Sequence, residues 1–410
     1  VIARGQGRSY GDCATLENGA VVLSERLNRF LAFDPRSGLL TCETGVTLAD
    51  IIQTFVPRGY FLPVTPGTRY VSVGGAIAAD IHGKNHHRAG SFGNFVESLE
   101  LWTGRNELLR CTRNENTDVF WATLGGLGLT GYIISASLRL MPIETSFLRV
   151  DRWRAGNLDE LLKLFDDFGN KYSYLVAWVD CLARDDKLGR AVLHAANHAL
   201  RAELPKRVAA LPLSLGQQRN LSVFLQPFAL TRSAIASFNE CYFRTHPTRS
   251  NYLKSLEDFF FPMDRLRRWN LVYGRRGLVQ YQALFPTETA ADGVRKTLEA
   301  ISASGEAPLL AVLKRMGTLD QGLLSFGQPG ITLSVDLPNT GAALQELSQK
   351  LDKVFLDHGA RLYLAADALS TPQAVVPMYP RLDEFRQVKA QVDPEGKFIS
   401  DLALRLRLVP

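Results

Sequence analysis

Cysteine is scarce in this chain, five in 410 residues, and Cys13, Cys42, Cys111, Cys181 and Cys241 are widely spaced with no C-x-x-C pair. That excludes a zinc ribbon and a disulfide framework, and it reads as buried free thiols in a reducing compartment. No stretch is long and apolar enough to span a bilayer. There is no internal repeat and no low-complexity tract. No Gly-Lys-Ser/Thr follows the first glycine-rich run, so it is not a P-loop, and it does not open a helix as the dinucleotide fingerprint requires. His82, His86 and His87 fall within six residues, but at no ligand-set spacing, and no metal is expected.

What is present suits a globular protein of two or three core-sized units: 46% of residues are hydrophobic and 21% charged. The net charge of +6 is uneven: Arg184 to Arg276 holds 16 lysines and arginines against seven acidic residues. The same stretch carries the apolar runs Leu221-Ser222-Val223-Phe224-Leu225 and Phe259-Phe260-Phe261-Pro262-Met263. Basic charge beside apolar patches suits an anionic membrane or a phosphate-bearing lipid, although charge alone favours a solvated basic face over an ordinary core. No nucleic-acid module accompanies it, and no nucleic acid is expected as partner. The chain opens at Val1 inside a strand-like segment, so upstream residues are expected to have been lost.

Glycine and β-branched residues dominate the first 145 positions. Val21 to Leu23, Leu39 to Glu43 and Tyr132 to Leu140 read as strands. Thr47 reads as a helix N-cap with Asp50 completing a capping box, and Leu48, Ile51, Ile52 and Phe55 share one helical face before Gly59. After about residue 146 glycine thins out. Leu278 to Phe285 and Ile331 to Leu337 read as strands, and Glu288 to Ser304 and Gly341 to Gly359 as helices, which suggests an α+β unit.

Two long glycine-dense loops, Pro63 to Gly93 and Gly125 to Gly131, are of the kind that carries function. The run Arg4-Gly5-Gln6-Gly7-Arg8-Ser9-Tyr10-Gly11-Asp12 follows a strand end. Its glycines let backbone N–H groups form an anion nest, and Arg4 and Arg8 could add charge toward a pyrophosphate. Gly74-Gly75 precede a helix-like segment of small side chains against which a flat ring or phosphate could lie.

These runs, with Thr123-Leu124-Gly125-Gly126-Leu127-Gly128-Leu129-Thr130-Gly131, resemble the FAD-binding half of the vanillyl-alcohol-oxidase type flavoproteins. The strings Gly7 to Asp12, Val73 to Ala78, Asp80 to His87, Ala89 to Asn94 and Met378-Tyr379-Pro380-Arg381 are similar to the decaprenylphosphoryl-β-D-ribose 2′-oxidase family. The resemblance spans the chain and is thin between about 190 and 270. It implies an α+β, two-domain PCMH-type FAD-binding fold whose substrate domain is built on an antiparallel sheet. Residues 1–146 and the returning segment 361–410 would form the FAD domain, and 147–360 the substrate domain, with the active site between them. The stretch 200–260 would be mobile and near the entrance.

By that resemblance Arg4, Gly5, Gly7, Arg8, Ser9, Tyr10 and Gly11 would wrap the FAD pyrophosphate. Gly67, Ser72, Val73, Gly74, Gly75, His82, Gly83, Lys84 and Asn85 would line the cofactor, Ile133 would touch its adenine end, and Tyr363 would return to the flavin. Tyr10, His82, Lys84, Gln282, Lys314 and Tyr363 would be catalytic; Gln280, Gln282, Lys314 and Ser334 would hold substrate. Many relatives attach flavin through a histidine in the first glycine loop, which here has Arg8-Ser9-Tyr10, so non-covalent FAD is expected. The implied reaction oxidises the ribose 2′-hydroxyl of a polyprenylphosphoryl ribose by hydride transfer to flavin N5. A short-chain-dehydrogenase-type reductase would then complete an epimerisation to the arabinose donor of cell-envelope glycans. The enzyme would sit peripherally at a bacterial membrane, on its cytoplasmic or periplasmic face.

Three features depart from the family pattern. Ala366, in Leu362-Tyr363-Leu364-Ala365-Ala366-Asp367, stands where the family has a lysine. Ser334, in Ile331-Thr332-Leu333-Ser334, stands where a cysteine is frequent, so thiol-directed inhibitors should form no adduct there. The missing N-terminus is expected to have held the first strand and helix of the FAD domain. Ala366 keeps two alternatives open: oxidation of another sugar or alditol, or a homologue with impaired catalysis.

Overall fold

The computed structural model describes residues 1–213, 219–220, 231–267 and 269–409. Its strands, in chain order, begin with the parallel pair β1 (Ile2–Arg4) and β2 (Val21–Leu23). Then follow β3 (Phe30–Asp34), β4 (Leu39–Glu43), β5 (Val96–Trp102), β6 (Leu108–Thr112) and β7 (Tyr132–Arg139). These five form one antiparallel sheet in the order β3-β4-β7-β5-β6. Helix α1 (Leu48–Phe55) packs Leu48, Ile51, Ile52 and Phe55 inward and begins at the expected capping box on Thr47 and Asp50. Such a cap contributes about 1 kcal/mol. Helix α2 (Val73–Ala78) starts inside the small-residue segment, so Gly74 and Gly75 lie in its first turn rather than before it.

A second antiparallel sheet of eight strands takes up β8 (Phe147–Ala155), β9 (Tyr174–Val179), β10 (Ala191–His198), β11 (Arg249–Ser255), β12 (Leu278–Pro286), β13 (Leu310–Met316), β14 (Gly330–Pro338) and β15 (Arg361–Leu362). Their order is β11-β8-β10-β9-β13-β14-β12-β15. Helices α3 (Leu158–Phe168), α5 (Ala290–Ser304) and α6 (Ala342–Asp357) cover one face, while α4 (Arg232–Thr245) lies toward the β9–β10 side. Side chains alternate along β12. Tyr281 and Phe285 point to α6, where Tyr281 Oη meets Asp352 at 3.2 Å and Phe285 packs on Phe355. Gln280 and Gln282 point the other way. Fully burying a side chain such as Phe285 contributes about 2–3 kcal/mol. β14 opens on Gly330 because a Cβ there would stand 1.9 Å from the Phe285 carbonyl oxygen.

The last segment, with α7 (Leu382–Val392) and α8 (Asp401–Arg405), packs back on the first sheet's half: α7 lies against the helix Thr117–Thr123. No helix among the described residues is long and apolar enough to cross a membrane. One expectation is overturned. Phe259, Phe260 and Phe261 are not a surface patch but core, each at most 4% exposed and packed edge-on or tilted against one another and against Phe61 and Tyr174. An apolar run has no periodicity that separates the two readings. The patch Leu221 to Leu225 lies outside the described residues. The stretch expected to be mobile carries α4 and β11 where it is described. Of the five cysteines four are buried and Cys241 is exposed.

Candidate active site

The first glycine run is pinned from both sides. A Cβ at Gly5 would stand 2.0 Å from Ser72 Oγ, and one at Gly11 would stand 1.7 Å from the Asp367 carbonyl oxygen. Tyr10 N–H donates to the Ala365 carbonyl at 3.2 Å, and Gly7 takes φ +57°. Among the described residues no protein acceptor takes the N–H groups of Gln6, Gly7, Arg8 or Ser9. That is the construction of an anion nest. Arg8 donates to the Tyr70 carbonyl at 3.2 Å with its guanidinium over the Tyr70 ring, and Arg4 lies against Gly7. Ser72 caps α2 by accepting from Gly75 N–H.

The second loop brings Gly83 against Asn85 and Thr65, with no room for a Cβ. Asn85 Nδ2 donates to the Pro63 carbonyl at 2.8 Å, yet Asn85 Oδ1 and Thr65 Oγ1 are buried with no partner among the described residues. A buried orphan acceptor is costly unless a ligand donor meets it. Free N–H groups at one end and orphan acceptors at the other fit a flavin dinucleotide, with its pyrophosphate oxygens and ring N–H. Gly67 borders open space; Val73 and Ile133 are buried, and Ile133 lies in β7 beside Thr44, whose hydroxyl donates to its carbonyl.

Four of the expected residues meet at one point. His82 Nε2 lies 2.9 Å from Gln282 Nε2, and His82 Nδ1 lies 3.4 Å from Lys314 Nζ. The ring of Tyr363 packs edge-on to His82, and its hydroxyl donates to the Ala79 carbonyl at 3.0 Å. Gln282 Nε2 also donates to Thr332 Oγ1, which donates onward to the Ala283 carbonyl. The register Gln282↔Ser334 and Thr332↔Lys314 puts all these side chains, with Ser334, on one face. Burial, and then the neighbouring Lys314 and His86, hold His82 well below the usual imidazole range. Burial pushes the Lys314 ammonium down to about 8.

The loop behind His82 is tightly tied. Asp80 adopts φ +38° and is secured by Gly93 N–H at 2.8 Å and Ser325 Oγ at 2.6 Å. Its carboxyl is shifted upward by burial and by nearby Asp320. Asp320 accepts from Gly327 N–H and Ser91 Oγ, and pairs with His86 Nε2 at 3.2 Å. Gly317 N–H donates to His86 Nδ1, so His86 carries its proton on Nε2 toward Asp320.

Two expected residues have other neighbours. Gln280 Nε2 donates to Asp336 Oδ1 at 2.7 Å and also engages Tyr10. Lys84 points its amine at the carbonyl oxygens of Phe259 (2.6 Å) and Phe260 (2.9 Å), over both rings. Burial, followed by Lys314 and Lys254, depresses its pKa. Asp336 went unnoticed in the sequence. Burial lifts its carboxyl to about 6, and Oδ2 has no partner among the described residues. Its one signal was position, two residues after Ser334 on the same strand face.

Comparison with known proteins agrees with the geometry. Residues 1–112 match a family described as an FAD binding domain. Decaprenylphosphoryl-beta-D-ribose oxidase of Mycolicibacterium smegmatis is 39% identical over 414 residues, covering 100% of this chain and 89% of its own length. An uncharacterized protein of the mprA 5′ region in Streptomyces coelicolor is 36% identical, over 88% of this chain and all of its own. Mouse L-gulonolactone oxidase is 31% identical over 40% of this chain and 38% of its own length. The α+β fold is therefore that of PCMH-type FAD-binding proteins, the cofactor is FAD, and the chain is an oxidoreductase acting on CH–OH groups.

Proposed function

Since the chain belongs to the decaprenylphosphoryl-beta-D-ribose oxidase family of FAD-linked oxidases, we propose that it oxidises the 2′-hydroxyl of a polyprenylphosphoryl ribose to the 2′-ketone. Residues 1–146 and 361–410 hold the cofactor non-covalently, and 147–360 present the sugar. Bound FAD supplies the two-electron acceptor. What remains for the protein is to orient the carbinol and remove its hydroxyl proton.

The observation that carries this reading is the chain Thr332–Gln282–His82–Lys314. Thr332 has spent its proton on the Ala283 carbonyl, so it accepts from the Gln282 amide. The other amide N–H faces His82 Nε2, which must therefore accept, and the imidazole proton rides on Nδ1. Nδ1–H faces Lys314 at 3.4 Å and disfavours an ammonium there, and the single lone pair of the neutral amine turns from Nδ1–H to the carbinol hydroxyl when the sugar binds. A lysine lowered to about 8 reaches that state near neutral pH. Lys314 is thus the proton acceptor, His82 its orienting partner, and Ser334 and Gln280 line the sugar. A reductase of the short-chain-dehydrogenase type consumes the ketone, and the membrane supplies the lipid-linked substrate.

The test is anaerobic titration of the purified flavoprotein with farnesylphosphoryl ribose. Bleaching of the oxidised flavin bands is expected. Ala366 favours one second reading, oxidation of a free sugar or alditol. Bleaching by an alditol or free pentose with none by the lipid-linked sugar would establish that reading instead.

A further inference from the structure

The cationic face does not end at Lys314. Lys84 feels both Lys314 and Lys254, and His194 feels Lys254, Arg152, His246 and Lys84. The sheet explains the gathering. Register sets Arg152 opposite His194 and His194 opposite Val176, while the adjacent Leu175 N–H donates to the Lys84 carbonyl at 2.8 Å. Lys254 enters from the edge strand β11, opposite Leu148.

Little in the protein neutralises this group. Asp264 faces Lys84, but accepts Arg69 N–H at 2.8 Å and lies near the Arg69 guanidinium. Asp258 faces Lys254, but is paired with Arg265. Arg152 spends one N–H on the Pro247 carbonyl at 2.9 Å and lies over Tyr252. His246 is stacked on Tyr242 with Nδ1 on the Tyr242 carbonyl. Among the described residues the Lys254 ammonium makes no hydrogen bond or ion pair, and His194 Nδ1 is buried without a partner. Burial then drives His194 down to about 3 and Lys254 below its usual range. His194 is therefore neutral and offers polar ring nitrogens, Lys84 has one N–H left beyond the Phe259 and Phe260 carbonyls, and the partly buried cations Lys254 and Arg152 beside them are unfavourable unless an anion joins them.

We propose that Lys254, His194, Arg152 and Lys84 form a seat for a phosphate ester, the phosphate of the lipid-linked sugar. It lies one step outward from Lys314 along the same sheet face. The sugar then occupies the Lys314 end and the lipid leaves past β11. This rests on the substrate reading above for the identity of the ester.

The holoenzyme tests it through flavin difference spectra during titration with farnesyl phosphate, inorganic phosphate or farnesol. Farnesyl phosphate should bind the wild type. Lys254→Met and His194→Gln should each weaken it about tenfold, the worth of one charge-assisted contact, with farnesol changed less than about twofold. Two variants on different strands guard against one that fails to retain FAD. Competition by inorganic phosphate would support a seat that reads phosphate alone; binding of farnesyl phosphate without such competition would support one that also needs the lipid. Unaltered farnesyl phosphate binding in both variants, equal loss of farnesol and farnesyl phosphate, or no response of the wild type would overturn the seat. An enzyme that passes this test and is not bleached by farnesylphosphoryl ribose keeps the seat and loses the sugar assignment.

Discussion

Gln280 and Gln282 stand two residues apart on the same face of β12, yet they serve opposite electrical environments. Gln282 joins His82 and Lys314, where a positive charge has been buried. Gln280 joins Asp336 and Tyr10, where a negative one has. Strand alternation brings both amides to the cleft, and the register decides the rest, since Asp336 lies opposite one and Ser334 opposite the other. The same residue type becomes a tautomer-setting donor in one place and a carboxylate ligand in the other. Partners brought from other strands and loops assign its role, and sequence neighbours do not.

The largest expected effect breaks the positive half. Lys314→Met should slow anaerobic flavin reduction about 10²–10³-fold, the usual scale of a lost general base, while FAD content is retained; stopped-flow at 450 nm or thereabouts reads it. A slowing under about fivefold would remove Lys314 from that role. The pH profile sharpens the same point. Deprotonation creates the acceptor, so the wild-type reduction rate should rise with pH and level off with a midpoint near 8. Lys314→Met should lack that inflection.

The acidic half predicts a change in stability instead. Asp336 has a folded pKa of about 6, raised from 3.8. The native state therefore holds its proton more tightly than the unfolded chain, and this contribution to stability is lost as pH rises through 6. Asp336→Asn, which keeps the acceptor for Gln280, should stabilise the protein at pH 8 by about 2 kcal/mol and scarcely at pH 4; thermal melts at both values decide it. An equal shift at both would point to packing, not charge. The smallest effect is at Ser334. Ser334→Ala should change the reduction rate less than about threefold, and electrophiles that form thiol adducts should leave the wild-type position unmodified by mass spectrometry.

Much of the scaffold was legible because it is local. The capping box at Thr47 and Asp50, the alternation in Tyr132 to Arg139 and the paired strands β12 and β14 each follow from patterns a few residues long. Gathering His82, Gln282, Lys314 and Tyr363 into one list came from family resemblance; their contacts depend on elements up to 284 positions apart, as between Tyr363 and Ala79. Asp336 stayed hidden because an acidic residue in a strand reads as solvent-facing until the partner surface is known. The phenylalanines at 259–261 misled for the converse reason, since an apolar run does not say which side of it water is on. The clasp of His86 on Asp320 joins residues 234 positions apart and carries no local signature.

Helix α8 bears on the first glycine loop. Arg405 bridges Asp12, at the end of the nest, and Asp367, while Leu402 N–H donates to the Asp12 carbonyl and Thr15 Oγ1 to Asp401. The loop assigned above to the dinucleotide is therefore latched by α8. Release through this loop would require α8 to peel away, so residence time would depend on local unfolding at α8 as much as on contacts in the nest. For FAD held non-covalently, as proposed above, such a latch would slow escape.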